Sequence, residues 1–254
     1  MDYFDLAERA GYTPNFWCSY AYASLAGWRS ERLTTPGIEA VVDKDGMWMF
    51  PPVSLEGKPY FHLLGHDVWS DFIGWRPEDR TTRSKELDLE YIYDPRNFMN
   101  MAGGDWMSFR KNSRKWPRAN PLHVYQPAKE ETVEAMIGWL EGRQDNIFGA
   151  DMMERYLTQP RKDVGIKGLF CKGECVAANV WDSNWKYINF RYSFVKEGEP
   201  FLAEFARLLF YTDPDILRAG KMVNDGGMLD NPGLKFFKDK MNPISVRQVN
   251  TWFV

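Results

Sequence analysis

IKGLFCKGECVAANVWDSNWKYINFRYSFV (Ile166–Val195) decides how this chain folds. Ile166–Cys171 and Cys175–Trp181 read as strands around a tight turn at Lys172-Gly173. Asp182–Asn184 turns the chain again, and Trp185–Val195 reads as a long third strand. Aromatic and β-branched residues fill the runs, and Gly, Lys, Asp, Ser and Asn punctuate them. Beyond the polar loop Lys196–Pro200, the apolar residues Phe201, Leu202, Phe205, Leu208 and Leu209 recur at helical spacing. Pro200 suits the first position of that helix. Lys221–Val223 predicts a short strand. Asn231 caps a helix that runs from Pro232 through Lys240, and Val246–Phe253 closes with a strand. Three antiparallel strands followed by helix, strand, helix and strand make an α/β (α+β) fold.

Working back toward the N-terminus, the spacing of Val133, Met136, Ile137 and Leu140 predicts an amphipathic helix, and Asp151–Thr158 a second one. Arg118–Pro121 is the expected boundary between two lobes, 1–119 and 120–254. In the first lobe, Ile38–Asp43 and Met47–Phe50 flank Lys44-Asp45-Gly46 as a hairpin, and Leu87–Tyr93 (LDLEYIY) alternates as a strand. Trp106–Trp116 predicts a short helix ending at Pro117. On it Arg110 and Arg114, and Lys111 and Lys115, are four residues apart and share a face. Phe109 and Trp116 anchor the opposite face.

Composition narrows the class. The chain has 254 residues, a net charge of −3, 44% hydrophobic and 26% charged residues, the profile of an ordinary globular protein. The overall charge argues against a protein that coats nucleic acid. Residues 107–118 nevertheless carry Arg110, Lys111, Arg114, Lys115 and Arg118 with no acid, a patch suited to phosphate or RNA. The aromatic excess, 11 Trp, 12 Tyr and 17 Phe, fits either large cores or a cleft that stacks on planar ligands. No apolar run is long enough for a membrane span, and the acidic start MDYFDLAERAGY lacks a signal-peptide pattern. Cys171 and Cys175 read as reduced residues either side of a turn, without partners for a zinc site. A cytoplasmic location is expected. His62, His66 and His123 carry no partner pattern and read as structural or surface residues.

Three segments, in order, resemble the C-terminal domain of phosphatidylglycerol lysyltransferases and its stand-alone relatives, within the GNAT superfamily. They are SYAYASLAGWR (Ser19–Arg29), ELDLEYIYDPRNFMNMAGGDWMSFRKNSRKW (Glu86–Trp116) and VNDGGMLDNPGLKFFKDKMNP (Val223–Pro243). In the last, Asn224, Gly233, Leu234, Lys235, Lys238 and Pro243 keep the group's spacing, while its two acidic positions fall on Gly226 and Met228. The resemblance implies a GNAT-like acyltransferase fold in two tandem lobes, the N-terminal one degenerate. It implies acyl transfer, often of an aminoacyl group from a charged tRNA, onto an amine or hydroxyl, with no metal. Two rival readings are a phage-type GNAT relative that modifies a nucleic-acid base and a non-catalytic binding module.

The candidate residues follow. Asp225, next to the lost acids, would orient or deprotonate the acceptor, with Asn224 beside it and Tyr192 as a second proton-transfer candidate. Asn224–Gly227 also reads as a simple turn, and Tyr192 as an interior strand residue. Arg110, Lys111 and Arg114 would border the cleft and hold tRNA or DNA phosphate. Lys196, Gly198 and Lys238 are further phosphate or substrate contacts. The donor is either aminoacyl-tRNA or acetyl-CoA. The loop Lys196–Pro200 has one glycine and places Glu197 and Glu199 near the following helix N-terminus, which otherwise suits a phosphate.

Overall fold

A computed structural model describes residues 2–79, 81–141, 149–159, 161–228 and 231–254. Leu229 and Asp230, inside the last resembling segment, lie outside the described residues. The first half runs α1 (Tyr3–Arg9), α2 (Tyr20–Ala26), β1 (Arg29–Leu33), β2 (Ile38–Val42), β3 (Val53–Ser54), β4 (Arg83–Tyr93), α3 (Asn97–Asn100), α4 (Met107–Ser113) and α5 (Lys115–Ala119). The second half continues with β5 (His123–Pro127), α6 (Glu130–Leu140), α7 (Ala150–Thr158), β6 (Gly165–Cys171), β7 (Glu174–Ser183), β8 (Tyr187–Val195), α8 (Leu202–Tyr211), α9 (Pro214–Arg218), β9 (Met222–Asn224), α10 (Pro232–Asp239) and β10 (Ser245–Phe253).

The principal sheet has the order β10-β4-β9-β8-β7-β6-β5, and β1, β2 and β3 form a small antiparallel sheet. The sheet runs across the expected 119/120 boundary, because β4 lies between β10 and β9. The mixed sheet and its helices form an α/β (α+β) architecture, as the order of elements in the sequence predicts.

Local chemistry explains the elements. The β6–β7 hairpin turns on Lys172 and Gly173, both with positive φ (51° and 85°). That is the left-handed pair a two-residue turn needs. Asn184 replaces a simple turn between β7 and β8: its Oδ1 accepts from the backbone N–H groups of Lys186 and Tyr187, so β8 starts at Tyr187 rather than Trp185. Asn231 caps α10 through Leu234 N at 3.1 Å, with Pro232 at the first turn.

Three local expectations are corrected. The second run of the N-terminal hairpin is not a strand; Trp48 makes isolated bridges to Val42 and Val68. The Trp106–Trp116 helix breaks at Arg114 into α4 and α5, with Phe109 and Trp116 both buried. Helix α8 begins at Leu202, after Phe201 in a left-handed conformation. The Lys115 ammonium lies 3.8 Å from the Phe201 ring centre.

Much of the aromatic excess is core. Tyr3, Phe50 and Phe72 stack against one another in the N-terminal core. Phe98 lies parallel to Tyr211, ring centres 3.9 Å apart. Cys171 and Cys175 are free and buried, flanking the hairpin turn. His66 stacks on Trp48, His62 lies near Glu78 and Asp79 at the surface, and His123 bonds to the Asn120 carbonyl.

The site's position follows from how β8 and β9 part. They pair in parallel only from Tyr187↔Met222 to Asn189↔Asn224. Beyond Asn224 the chain stays with β4 instead: Asp225 N donates to Tyr91 O at 2.9 Å, and Tyr91 N donates to Gly226 O at 3.1 Å. Strand β8 continues to Val195 without β9 beside it. The strand of Tyr192 and that of Val223 therefore splay apart.

Candidate functional site

A cavity of about 150 Å³ opens at the splay. Its apolar lining includes Phe16, Trp17, Met152, Met153, Phe190 and Leu234, and its polar lining Asp88, Arg191, Tyr192, Arg207, Asp225 and Lys238. A second depression, lined by Met153 and Arg191–Val195, adjoins it along β8.

Arg191 is set by a break in strand register. Val180 pairs with Tyr192 and Trp181 with Phe190, so Arg191 is the extra residue of a β-bulge, a device that re-aims side chains. Its Nε donates to Asp182 Oδ2 at 2.9 Å and its Nη2 to Oδ1 at 3.0 Å. Asp182 also accepts from Ser19, Tyr156 and Asn189. The guanidinium lies 4.4 Å from the ring centre of Phe16 and 4.9 Å from that of Tyr22. It is thus held in one place by charge, hydrogen bonds and aromatic faces. Its Nη1 is buried and has no hydrogen-bond partner among the described residues.

Across the splay, alternation puts Asp88 and Glu90 on one face of β4. Asp88 Oδ1 accepts from Met228 N at 3.2 Å, while Oδ2 is buried without a partner among the described residues. Gly227 is required here: a Cβ on it would lie 1.8 Å from Asp88 Oδ2. Glu90 accepts from Phe16 N and from Asn224 Nδ2, at 2.5 and 2.7 Å. Burial pushes its carboxyl up to about 7, against the lowering effect of those two donors.

The turn after β9 is a clamp. Asp225 Oδ2 accepts from Arg207 Nη1 at 2.6 Å and from Tyr211 at 2.8 Å. Lys238 Nζ donates to the carbonyl oxygens of Asp225, Gly226 and Gly227 and lies 3.3 Å from Asp225 Oδ1. Burial pushes the Lys238 ammonium down, and the charge of Asp225 opposes that shift. Asn224 completes the turn, its Oδ1 accepting from Gly226 N at 3.0 Å.

Of the residues singled out in the sequence, Tyr192, Asp225 and Lys238 line this cavity, and Asn224 supports the turn behind it. Burial raises the Tyr192 phenol, so at neutral pH it is a hydrogen-bond donor and not a base. Arg110, Lys111 and Arg114 do not line the cavity. Arg110 donates to the Met101 carbonyl, while Lys111 and Arg114 are exposed on the α4–α5 surface. Lys196 pairs with Glu174 and Gly198 lies in the β8–α8 loop; neither lines the cavity. Asp88, Glu90, Asp182, Arg191 and Arg207 are site residues that the sequence reading misses. The sequence offers one weak signal, the opposite charges Asp182 and Arg191 in neighbouring strands that also carry Asn179, Asn189 and Ser193. Among the described residues no cluster of His, Cys, Asp and Glu is arranged to hold a metal, and no helix is long and apolar enough to cross a membrane.

No protein-family model matches the chain, and no curated protein matches it in sequence. Solved structures do match in fold. A conserved protein of unknown function from Bacteroides thetaiotaomicron is 13% identical, with a TM-score of 0.74 over 99% of this chain and 97% of the other. L-PGS from Bacillus licheniformis is 15% identical, with a TM-score of 0.63 over 98% and 90%. The C-terminal domain of a putative lysylphosphatidylglycerol synthetase from Agrobacterium fabrum is 14% identical, with a TM-score of 0.59 over 98% and 92%. The fold of this chain is therefore the one shared by these three structures, along nearly its whole length.

Proposed function

We propose that this protein transfers an activated acyl group, an aminoacyl group from tRNA, onto an amine or hydroxyl acceptor, with the splay cavity as the acyl site. The observation that carries the reading is the Nη1 of Arg191, which has no partner among the described residues and belongs to a side chain fixed at the cavity by Asp182. A preorganised donor of this kind is what a carbonyl oxygen needs as negative charge develops on it, and loss of one such donor costs about 10²–10³ in rate. The fold supports acyl transfer in general. The Agrobacterium fabrum protein of this fold is named for the synthesis of lysylphosphatidylglycerol, an aminoacyl ester.

In the proposed step the acceptor nitrogen or oxygen attacks the ester carbonyl carbon. The carbonyl oxygen takes up charge against Arg191, the bond to the tRNA ribose oxygen breaks, and the acceptor's proton ends on that leaving oxygen. Tyr192, kept protonated by burial, donates a hydrogen bond to the reacting groups. Asp225 acts as a positioning residue, since its oxygens are engaged by Arg207, Tyr211 and Lys238. Holding donor and acceptor in line supplies about 7–11 kcal/mol of the barrier reduction. Aminoacyl-tRNA is favoured over acetyl-CoA because Glu197 and Glu199 oppose a pyrophosphate at the start of α8.

The test is single-turnover assay of the protein with radiolabelled, fully aminoacylated tRNA and a small-amine acceptor, beside a thiol-release assay with acetyl-CoA. Label transferred from tRNA, with no thiol released, is the expected result. Thiol release without tRNA-dependent transfer would replace the donor, and inactivity with both would end the transferase reading.

A further inference from the structure

The charges around the cavity are nearly all matched internally. Arg191 is paired with Asp182, while Arg207 and Lys238 are paired with Asp225. Asp88 is the remaining carboxylate of the described lining. Two buried polar atoms are left without partners among the described residues, Asp88 Oδ2 and Arg191 Nη1. Both residues line this one cavity and are more than nine-tenths buried. Buried polar atoms are rarely left unsatisfied, because each costs about 1–3 kcal/mol. Two such atoms of opposite character at one cavity define a complementary ligand: one cationic N–H donor and one oxygen acceptor.

We infer that the cavity recognises an α-aminoacyl group with an uncharged, apolar side chain, its α-ammonium on Asp88 Oδ2 and its carbonyl oxygen on Arg191 Nη1. This rests on the acyl-transfer reading above and names the acyl group. The side-chain preference follows from counting. A lysyl group brings two ammonium groups, and the described lining offers one unmatched carboxylate oxygen. The apolar part of the described wall, Phe16, Trp17, Met152, Met153, Phe190 and Leu234, suits a branched aliphatic or thioether side chain. Gly227 belongs to the device, since any side chain there would displace the Asp88 carboxylate.

The test is calorimetric binding of three small amides to the full chain: L-leucinamide, L-lysinamide, and 4-methylpentanamide, which is leucinamide without its amine. Leucinamide should bind at least about tenfold more tightly than either of the others, the worth of one hydrogen bond to a charged group. Asp88→Asn should abolish the preference for leucinamide over 4-methylpentanamide while leaving the latter's affinity unchanged. Arg191→Lys should weaken both alike. Equal binding of leucinamide and 4-methylpentanamide to the unmodified protein, tighter binding of lysinamide, or no binding of any amide would overturn the inference, and none of these needs a variant to fold. Transfer from tRNA without amine discrimination would remove this inference and leave the acyltransferase reading. Amine discrimination without transfer would do the reverse.

Discussion

Arg191 and Asp182 face each other through two hydrogen bonds, at 2.9 and 3.0 Å, with both side chains almost wholly removed from solvent. Removing one partner of such a buried pair strands the other charge, which costs about 3–5 kcal/mol. Asp182→Ala should therefore lower the unfolding free energy by that amount in urea titration. Adding Arg191→Met should recover part of the loss. A strictly additive double variant would show that the two side chains are not coupled.

Asp225→Asn separates two views of the turn. If Asp225 were only a proton acceptor, the variant would fold with normal stability and react slowly. Its contacts with Arg207, Tyr211 and Lys238 predict a lower melting temperature, from about 2 kcal/mol or more of lost stability. Thermal unfolding beside single-turnover transfer measures both quantities in one preparation.

Gly227→Ala should be destabilising by about 1–3 kcal/mol, the usual cost of overpacking a filled site, because its Cβ meets Asp88 Oδ2 at 1.8 Å. Gly104→Ala is the control, with nothing within 4 Å of the added carbon. Equal melting temperatures for the two variants would contradict the close approach of Gly227 to Asp88.

Glu90 gives the fold a pH dependence of defined sign. Its native pKa of about 7 exceeds the ordinary value of 4.5, so the native state holds this proton more tightly than the unfolded chain. The stabilisation is full below about pH 4.5, declines as pH rises, and is gone above about pH 7. The change attributable to this group is on the order of 3 kcal/mol. Carbon-detected NMR of the glutamate carboxyls should show one titrating near neutrality, and that resonance should vanish in Glu90→Gln. All glutamates titrating between about pH 4 and 5 would refute it.

The exposed cations of α4 and α5 make a surface prediction. Lys111→Ala and Arg114→Ala should each weaken tRNA binding and reduce its salt slope by about one. Arg110→Ala should instead disturb local structure, because its guanidinium holds the Met101 carbonyl. Binding unchanged across salt concentrations in the Lys111/Arg114 double variant would remove this patch from the tRNA path.

The strands, the hairpin at Lys172-Gly173 and the Asn231 cap are legible in the sequence because each depends on neighbours within a few residues. Tyr192, Asp225 and Lys238 stand out through element order and motif spacing, and the structure brings all three to one cavity. Asp88 and Glu90 are hidden by the same alternation that reveals β4: in LDLEYIY they read as the solvent face. What buries them comes from far along the chain, since Asp88 meets Met228 and Glu90 meets Asn224, 140 and 134 residues away. Arg191 is hidden for another reason. A bulge shifts the inward-outward rhythm by one, and nothing local in NFRYSF announces it.

The place of β4 has a consequence for how the protein is made. Both of its neighbours in the sheet, β9 and β10, come from beyond residue 221. During synthesis its eleven residues therefore wait for more than a hundred others before either edge can pair. Contacts of such long sequence separation fold slowly and leave edges open to wrong partners. A ribosome stalled before β9 should display β4 as a protease-sensitive, chaperone-bound segment, and release of the last strand should be the event that closes the sheet.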